Sequence, residues 1–184
     1  MILSFDIGEK NFAFCLANND KILLTKCISL FDVVFLDKKQ PKSKKTLSND
    51  EILFAMKKII SEINLKPITL ILIEKQLATN RKSSNIEAIL FTYLSIINEL
   101  YTYQIIEISS KLKLKNYIIS DKPKLTYLGR KKLSKKICNE KYNINASFDE
   151  CDSLLQIEGF FYQKKKCKFI IPNWIKLLDD KKYY

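Results

Sequence analysis

The sequence predicts an α/β domain in which helices cover a mixed β-sheet. Apolar runs of strand length alternate with longer segments that have helical spacing, in the order of three strands, a helix, a strand, a helix, a strand and two helices. A length of 184 residues also suits one domain with a sizeable core. We expect the first strand to lie near the centre of the sheet.

The N-terminal part predicts a meander of three antiparallel strands, at residues 1–7, 11–17 and 22–30. The residues Asn-Asn-Asp at 18–20 favour a tight turn between the second and third strands. The following segment, 37–49, is polar and rich in lysine. It therefore predicts a solvated loop.

A helix is predicted directly after this loop. Ser48 and Glu51 have the spacing of a capping box. Pro67 ends the helical unit before a strand at residues 68–73. The apolar residues of the helix recur at helical spacing, at Ile52, Leu53, Met56, Ile59, Ile60 and Ile63.

Residues 83–103 predict a second long helix that is apolar on more than one side, because Phe91 and Ile96 lie off its main apolar face. Such a helix is expected to be buried on two sides, either in a subunit interface or under other elements of the same chain. A short strand at residues 104–108 follows.

Two further helices are predicted at residues 129–142 and 149–162, after an irregular basic stretch at 109–127. Ser147 and Glu150 have the spacing of a second capping box. In domain terms, we expect a single unit over residues 1–163. Residues 164–184 are predicted to form a basic tail, with a short strand at 168–171, that packs on this unit or extends it.

The charge of the chain indicates an acidic partner. Thirty-two Lys and Arg residues against 20 Asp and Glu residues give a net charge of +12. Nucleic acid is the commonest partner for such a chain. An A+T-rich genome would also raise the lysine content without a functional cause, so charge alone does not decide the matter.

The absence of histidine makes zinc fingers, Cys/His proteases and Ser-His-Asp hydrolases untenable or awkward. Proton transfer must then use a carboxylate, a lysine, a tyrosine or metal-bound water. The five cysteines are odd in number and lack CxxC spacing, which predicts reduced, buried thiols in an intracellular reducing compartment. No apolar run is long enough to span a bilayer, and the first is broken by Asp6. We therefore expect a soluble protein that is not secreted and has no membrane partner.

Four carboxylates stand at the ends of predicted buried elements, and these are Asp6, Glu74, Asp149 and Asp152. The first two each end an apolar strand. The other two open the last helix three positions apart, and so lie about 60° apart on one helical face. Glu150 points about 100° away from Asp149 and is assigned to capping.

Each carboxylate has a structural alternative. Asp6 with Gly8 could serve only as a turn, and acids at a helix start could merely complement its dipole. Gathered in one basic chain, they predict oxygen ligands for divalent cations to which the basic surface would bring a polyanion. This combination indicates a nuclease.

Three motifs occur in an order that resembles a known family. ILSFDIGEKNFAFCLA is similar to a D-x-G-x-K-N opening strand, LILIEKQ with Arg81 soon after it to an E-[RK]-Q…R block, and SFDECDSLLQ to a final D-x-x-D helix. In this order the motifs resemble those of the RuvC-like branch of the ribonuclease H fold. The likeness is greatest to Holliday junction resolvases of poxviruses, related large DNA viruses and fungal mitochondria. The resemblance implies a ribonuclease H-like mixed five-stranded sheet flanked by helices.

The resemblance also implies a metal site and an activity. Asp6, Glu74, Asp149 and Asp152 would coordinate two Mg²⁺ or Mn²⁺ ions, which activate water and stabilise the leaving 3′ oxygen. The activity would be symmetric paired incision of four-way and branched DNA junctions, leaving 5′-phosphate and 3′-hydroxyl ends, without a small-molecule cofactor. A viral origin would place the protein in the host cytoplasm or nucleus.

Bacterial relatives carry a lysine after the fifth strand that approaches the active-site phosphate. Here the corresponding segment offers Lys111, Lys113 and Lys115. We prefer Lys115, which follows Leu114, with Lys113 as the neighbouring candidate. Arg81 is included among the predicted nucleic-acid-binding residues.

A basic helical face is predicted next to the last helix. Its lysines fall within an arc of about 140°, opposite Leu133 and Ile137. It could lie on the DNA backbone and supply salt-dependent affinity without sequence readout, or it could be a solvated lysine face. The predicted contacts on this face are Lys131, Lys132, Lys135 and Lys136.

Symmetric cleavage of a junction needs two active sites, which a two-fold homodimer supplies most simply. The helix at 83–103 is the predicted interface. The alternatives are a ribonuclease H-fold nuclease that acts on RNA or another nucleic-acid structure, and a non-catalytic DNA-binding module. An actin-type ATPase is disfavoured because three glycines are too few for its phosphate loops.

Overall fold

The computed structural model describes residues 1–18, 21–36, 45–117 and 125–166. These residues form one sheet of five strands with helices on both faces. The strands are β1 (Ile2–Asp6), β2 (Phe12–Asn18), β3 (Lys21–Ile28), β4 (Leu70–Lys75) and β5 (Gln104–Ser109). The helices are α1 (Leu30–Val34), α2 (Asn49–Ser61), α3 (Arg81–Ile97), α4 (Tyr127–Tyr142) and α5 (Phe148–Lys166).

The sheet is mixed and has the order β3-β2-β1-β4-β5. Strands β1, β2 and β3 pair antiparallel, as the predicted meander requires. Strands β4 and β5 add parallel to β1. The first strand is therefore the central one, and the predicted fold class is confirmed.

Strand alternation divides the apolar residues between two cores. Leu3 and Phe5 of β1 pack with α2 and α3 on one face of the sheet, whereas Ile2 packs with α4 and α5 on the other. Strand β4 divides in the same way, with Ile71 and Ile73 in the first core and Leu72 in the second. Side chains at even positions of β1 and β4 thus face α5.

Both predicted capping boxes form. The Ser48 side chain accepts a hydrogen bond from the backbone N–H of Glu51, whose carboxylate accepts one from Ser48 N–H. Ser147 and Glu150 exchange the same pair of bonds, at 2.8 and 3.2 Å. Since each cap satisfies donors that a helix start would otherwise leave unpaired, α2 and α5 begin where the sequence predicts.

The predicted third strand is too long at its C-terminal end. It stops at Ile28, and α1 begins at Leu30, whose N–H donates to the Glu9 carbonyl at 2.9 Å. Leu30 and Phe31 are buried in the first core, which holds the short helix in place. Because these residues are apolar, they continue the apolar pattern of the strand in the sequence, and the predicted strand therefore runs on to residue 30.

Helix α3 starts at Arg81 and ends at Ile97, where a 3-10 turn (Asn98–Leu100) follows, so the predicted helix at 83–103 is displaced towards the N-terminus. Helix α5 runs to Lys166, and the predicted domain boundary after residue 163 falls inside it. Most of the predicted 18–20 turn and 37–49 loop, the predicted strand at 168–171 and the rest of the tail lie outside the described residues.

Helix α3 is covered on one side only within the described part of the chain. Ile86, Leu90 and Leu94 are buried, whereas Phe91 is 37% and Ile96 is 64% exposed. Other described elements of the same chain therefore do not cover the second apolar side.

Among the described residues, no helix combines the length and the apolar character that crossing a membrane requires.

Candidate metal centre

The two carboxylates from the sheet lie together because of strand alternation. Asp6 follows Ser4 by two positions and Glu74 follows Leu72 by two, so both carboxylates point to the face covered by α5. The parallel register pairs Ser4 with Leu72, which places the two carboxylates at the same level at the ends of neighbouring strands. Both residues are buried, with 7% and 8% of their surface exposed.

The other two predicted carboxylates come from the first two turns of α5, Asp149 from the first and Asp152 from the second. Asp152 is buried and Asp149 is partly exposed. The capping box at Ser147 fixes the start of the helix, and Glu150 is engaged in that cap, as expected. The cap therefore fixes the rotation of α5 about its axis, and with it the helix face that lies against β1.

Oxygen atoms of Asp6, Asp149 and Asp152 lie within 4.8 Å of one another. Three carboxylate oxygens at this separation fit a hard divalent cation such as Mg²⁺ or Mn²⁺. Glu74 joins the group through a shared lysine partner. The structure thus brings all four predicted carboxylates to one place.

That shared partner is Lys113. Its ammonium group lies 2.9 Å from Asp6 Oδ1, 3.0 Å from Glu74 Oε2 and 3.5 Å from Asp152 Oδ2. Lys115, the preferred candidate, is exposed and makes none of these contacts. The preference is corrected because the chain forms a 3-10 turn (Ser110–Leu112) directly after β5, where strand alternation no longer applies.

A glycine in α5 allows this turn to approach. A Cβ built on Gly159 would lie 2.2 Å from the carbonyl oxygen of Leu112, so no other residue fits at this position without a shift of backbone. Lys113 follows Leu112 directly and is itself buried. The close approach at Gly159 therefore helps to place the Lys113 ammonium group among the carboxylates.

Lys131 is the second cation of the centre. Its ammonium group donates to Asp149 Oδ1 at 2.7 Å and to Asp152 Oδ2 at 2.6 Å, and its side chain is 13% exposed. The predicted placement on an outward DNA-binding face is therefore corrected. Because α4 packs against α5, the edge of the helical arc that carries Lys131 faces the carboxylates.

The remaining predicted basic residues stay at the surface. Lys132 and Lys136 of α4 are exposed, and Lys136 pairs with Glu140 at 3.7 Å. Lys135 is half-buried with its ammonium group 5.6 Å from the centre of the Phe148 ring. Arg81 is exposed at the first residue of α3.

The electrostatics of the centre favour a bound cation. Burial, the hydrogen bond to Glu74 and the charges of Glu74 and Asp152 together raise the pKa of Asp6 from 3.8 to about 8, against the opposing effect of Lys113. Burial alone would lower the pKa of Lys113, but the three surrounding carboxylates raise it above its ordinary value. Four carboxylates and two ammonium groups leave a net charge of −2 when all are ionised.

Two hydrogen bonds that the sequence did not reveal, one buried and one partly buried, support the centre. The Ser4 hydroxyl donates to Gln156 Oε1 at 2.8 Å. This bond joins β1 to α5 two residues before Asp6, on the same face of the strand. Glu87 of α3 accepts from the backbone N–H of Gln76 at 2.9 Å, and so anchors the chain just after Glu74. In the sequence, a polar residue at a position where the strand or helix pattern is apolar could have predicted both bonds.

Comparisons with known proteins agree at the level of fold. No protein-family model matches the chain, and no curated protein does. Among solved structures, the yeast mitochondrial Holliday junction resolvase matches with a TM-score of 0.56 at 16% identity, over 91% of this chain and 84% of that one. The chain has a RuvC-like resolvase fold.

Two further structures with this fold hold junction DNA. Fowlpox virus resolvase with its substrate Holliday junction matches with a TM-score of 0.52 at 17% identity, over 90% of this chain and 99% of that one. RuvC of T. thermophilus with a Holliday junction substrate matches with a TM-score of 0.53 at 9% identity, over 90% of this chain and 95% of that one. At these identities the likeness concerns the fold.

Proposed function

We propose that the protein is a divalent-metal-dependent endonuclease that resolves four-way and other branched DNA junctions by symmetric paired incisions. The observation that carries the proposal is the close grouping of three carboxylates, with Glu74 joined to them through Lys113, in a RuvC-like fold and a chain of net charge +12. Structures with this fold include resolvases that hold Holliday junction DNA.

Asp6, Glu74, Asp149 and Asp152 would hold the metal, as two Mg²⁺ or Mn²⁺ ions. Ions bound there would supply an activated water and charge stabilisation of the leaving 3′ oxygen, which leads to 5′-phosphate and 3′-hydroxyl products. Because the chain has no histidine, the carboxylates and lysines of the centre would bind the DNA phosphate, orient it and hold the protons that are transferred.

The two buried lysines have a second role in this proposal. Lys113 and Lys131 partly neutralise the carboxylates in the absence of metal. With divalent ions held by the carboxylates, these ammonium groups would be free to pair with a DNA phosphate, which carries the opposite charge. The flanking DNA backbone would be held without sequence readout by the half-buried Lys135 and by the exposed residues Lys132, Lys136, Lys115 and Arg81.

A homodimer would provide the two sites that paired incision requires. The exposed apolar side of α3, with Phe91 and Ile96, is the proposed interface. We expect Ile96→Glu to convert a dimer into monomers in sedimentation analysis. Because Ile96 is 64% exposed in the single chain, the variant should remain folded. A wild-type chain that sediments as a monomer at micromolar concentration would refute this part of the proposal.

The decisive experiment compares Asp149→Asn with Glu150→Gln in a cleavage assay with Mg²⁺. We expect Asp149→Asn to lower the rate at least about 100-fold, the order of effect for loss of one group that stabilises a transition state. The neighbouring Glu150→Gln should cut normally, because glutamine can keep the capping bond.

The substrate panel separates the alternatives. Matched four-way junction, linear duplex and RNA–DNA hybrid are cut in parallel, and the junction should be cut fastest. Equal cutting of junction and duplex would refute the resolvase proposal, and preference for the hybrid would favour a ribonuclease. Absence of any metal-dependent cleavage would leave a DNA-binding module.

A further inference from the structure

Two exposed aromatic residues border the metal centre on its helical side. Tyr127 is the first residue of α4 and is 69% exposed, and Phe148 is the first residue of α5 and is 37% exposed. Leu128, which follows Tyr127, is also exposed. Tyr127 and Phe148 are called the stacking rim below. Exposed apolar side chains are common on protein surfaces, but these stand on the two helices that carry Lys131, Asp149 and Asp152 of the charged centre.

The Tyr127 ring is one side chain away from the carboxylates, and Phe148 lies at the same end of α5 as Asp149. The Lys131 ammonium group lies 6.0 Å from the centre of the Tyr127 ring and also donates to Asp149 and Asp152. Phe148 directly precedes Asp149 in the chain. A group that rests on the rim would therefore lie beside a phosphate bound at the metal centre.

Charge decides which kind of occupant fits. Lys131 lies near one ring and Lys135 near the other, with Arg130 and Lys132 exposed on the same helix. Lysine is depleted in the core of protein–protein interfaces, whereas alternation of aromatic and cationic side chains is typical of surfaces that bind single-stranded nucleic acid. The rim therefore fits a nucleobase attached to a phosphate backbone.

We propose that Tyr127, with Phe148, forms a stacking site for an unpaired base of the DNA strand next to the phosphate at the metal centre. This inference rests on the proposed function and deepens it. Bases inside a duplex are already stacked on each other, whereas bases at a branch point can be unstacked at lower cost. The rim would thus favour branched or single-stranded DNA over linear duplex.

The test measures binding in an Asp149→Asn background, which prevents cleavage. Dissociation constants for a four-way junction, a single-stranded oligonucleotide and a linear duplex are determined over a range of salt concentrations. We expect Tyr127→Ala to weaken binding of the junction and the single strand about 5- to 150-fold, the range for loss of one base–aromatic stack. Its salt dependence should not change, because no phosphate contact is lost.

Three comparisons make the test specific. Tyr127→Phe keeps the ring and should bind normally, and Lys132→Ala should reduce the salt slope by about one. Phe54→Ala is the matched control, since Phe54 is also exposed with a lysine 5.9 Å from its ring but belongs to α2, on the opposite face of the sheet. It should leave DNA binding unchanged.

The outcomes distinguish this inference from the proposed function. If Tyr127→Ala binds the single strand and the junction as tightly as its Asp149→Asn parent, the stacking site is refuted, whichever substrates the wild type cleaves. If the variant loses thermal stability while DNA affinity is unchanged, the ring packs on protein and the inference also fails. If the parent shows no preference for junctions but Tyr127→Ala weakens single-strand binding, the stacking site stands and the resolvase proposal falls.

Discussion

Replacement of Asp6 by asparagine should stabilise the metal-free protein at neutral and alkaline pH while it removes metal binding. Asp6 is buried, and its pKa is raised from 3.8 to about 8, first by burial and then by the charges of Glu74 and Asp152. Between these pH values the folded state holds a proton that the unfolded chain has released. The free energy of unfolding of the wild type therefore falls as pH rises from about 4 to 8.

The magnitude follows from the same values. One proton held by the folded state alone changes stability by about 1.4 kcal/mol per pH unit, which sets an upper limit of about 5 to 6 kcal/mol over this range. Relaxation and water penetration reduce the penalty for burying a charge. We therefore expect Asp6→Asn to gain several kcal/mol relative to wild type between pH 5 and pH 8.

The assay is urea unfolding in the presence of a chelator at several pH values. The difference between the two proteins should grow with pH, whereas Glu99→Gln, at an exposed carboxylate in the turn after α3, should follow wild type. Mg²⁺ at 100 times its dissociation constant should stabilise wild type by about 2.7 kcal/mol and leave Asp6→Asn almost unaffected. Parallel pH dependence for Asp6→Asn and wild type would refute the assignment of a buried, disfavoured charge.

The remaining predictions concern the groups around the carboxylates. Lys113→Met should destabilise the metal-free protein by about 3–5 kcal/mol, because carboxylates lose a buried partner, and Mg²⁺ should restore much of the loss; Lys115→Met is the exposed control. Gly159→Ala should cost about 1–3 kcal/mol in urea unfolding and weaken Mg²⁺ binding in calorimetry, since the new Cβ displaces the turn before Lys113. Gln156→Leu should cost about 1–3 kcal/mol by leaving the Ser4 hydroxyl unpaired, and addition of Ser4→Ala should recover most of that loss in a double-mutant cycle. A Gly159→Ala protein with unchanged metal affinity, or strictly additive Ser4 and Gln156 effects, would contradict these explanations.

The carboxylates of the sheet could be predicted from sequence because strands have a simple period. Once Asp6 and Glu74 are placed at the ends of parallel neighbours, alternation puts them on the same face. The start of α5 was equally accessible, since the Ser147 cap fixes the helix phase. Local rules were sufficient at these positions.

The two lysines of the centre required tertiary information. Lys113 follows a 3-10 turn, where neither the strand nor the helix period applies. Lys131 lies on a helical arc that the sequence predicted correctly, but the edge of the arc that meets α5 is set by packing between helices. Helix α1 was missed because five residues are too few to show a helical period.

Charge balance explains why the centre contains lysines at all. Four carboxylates held together without a cation would repel each other strongly in a buried site, and the fold would be stable only with metal bound. When all four carboxylates are ionised, Lys113 and Lys131 reduce the net charge from −4 to −2, a charge that one divalent ion neutralises. In the metal-free state the proton that Asp6 retains below about pH 8 lowers the repulsion further. If the carboxylates hold two ions, as proposed, an ammonium group would be freed from them and could pair with a DNA phosphate. In that proposal the same two lysines serve both folding without metal and DNA binding with metal, and substitution of either should affect both.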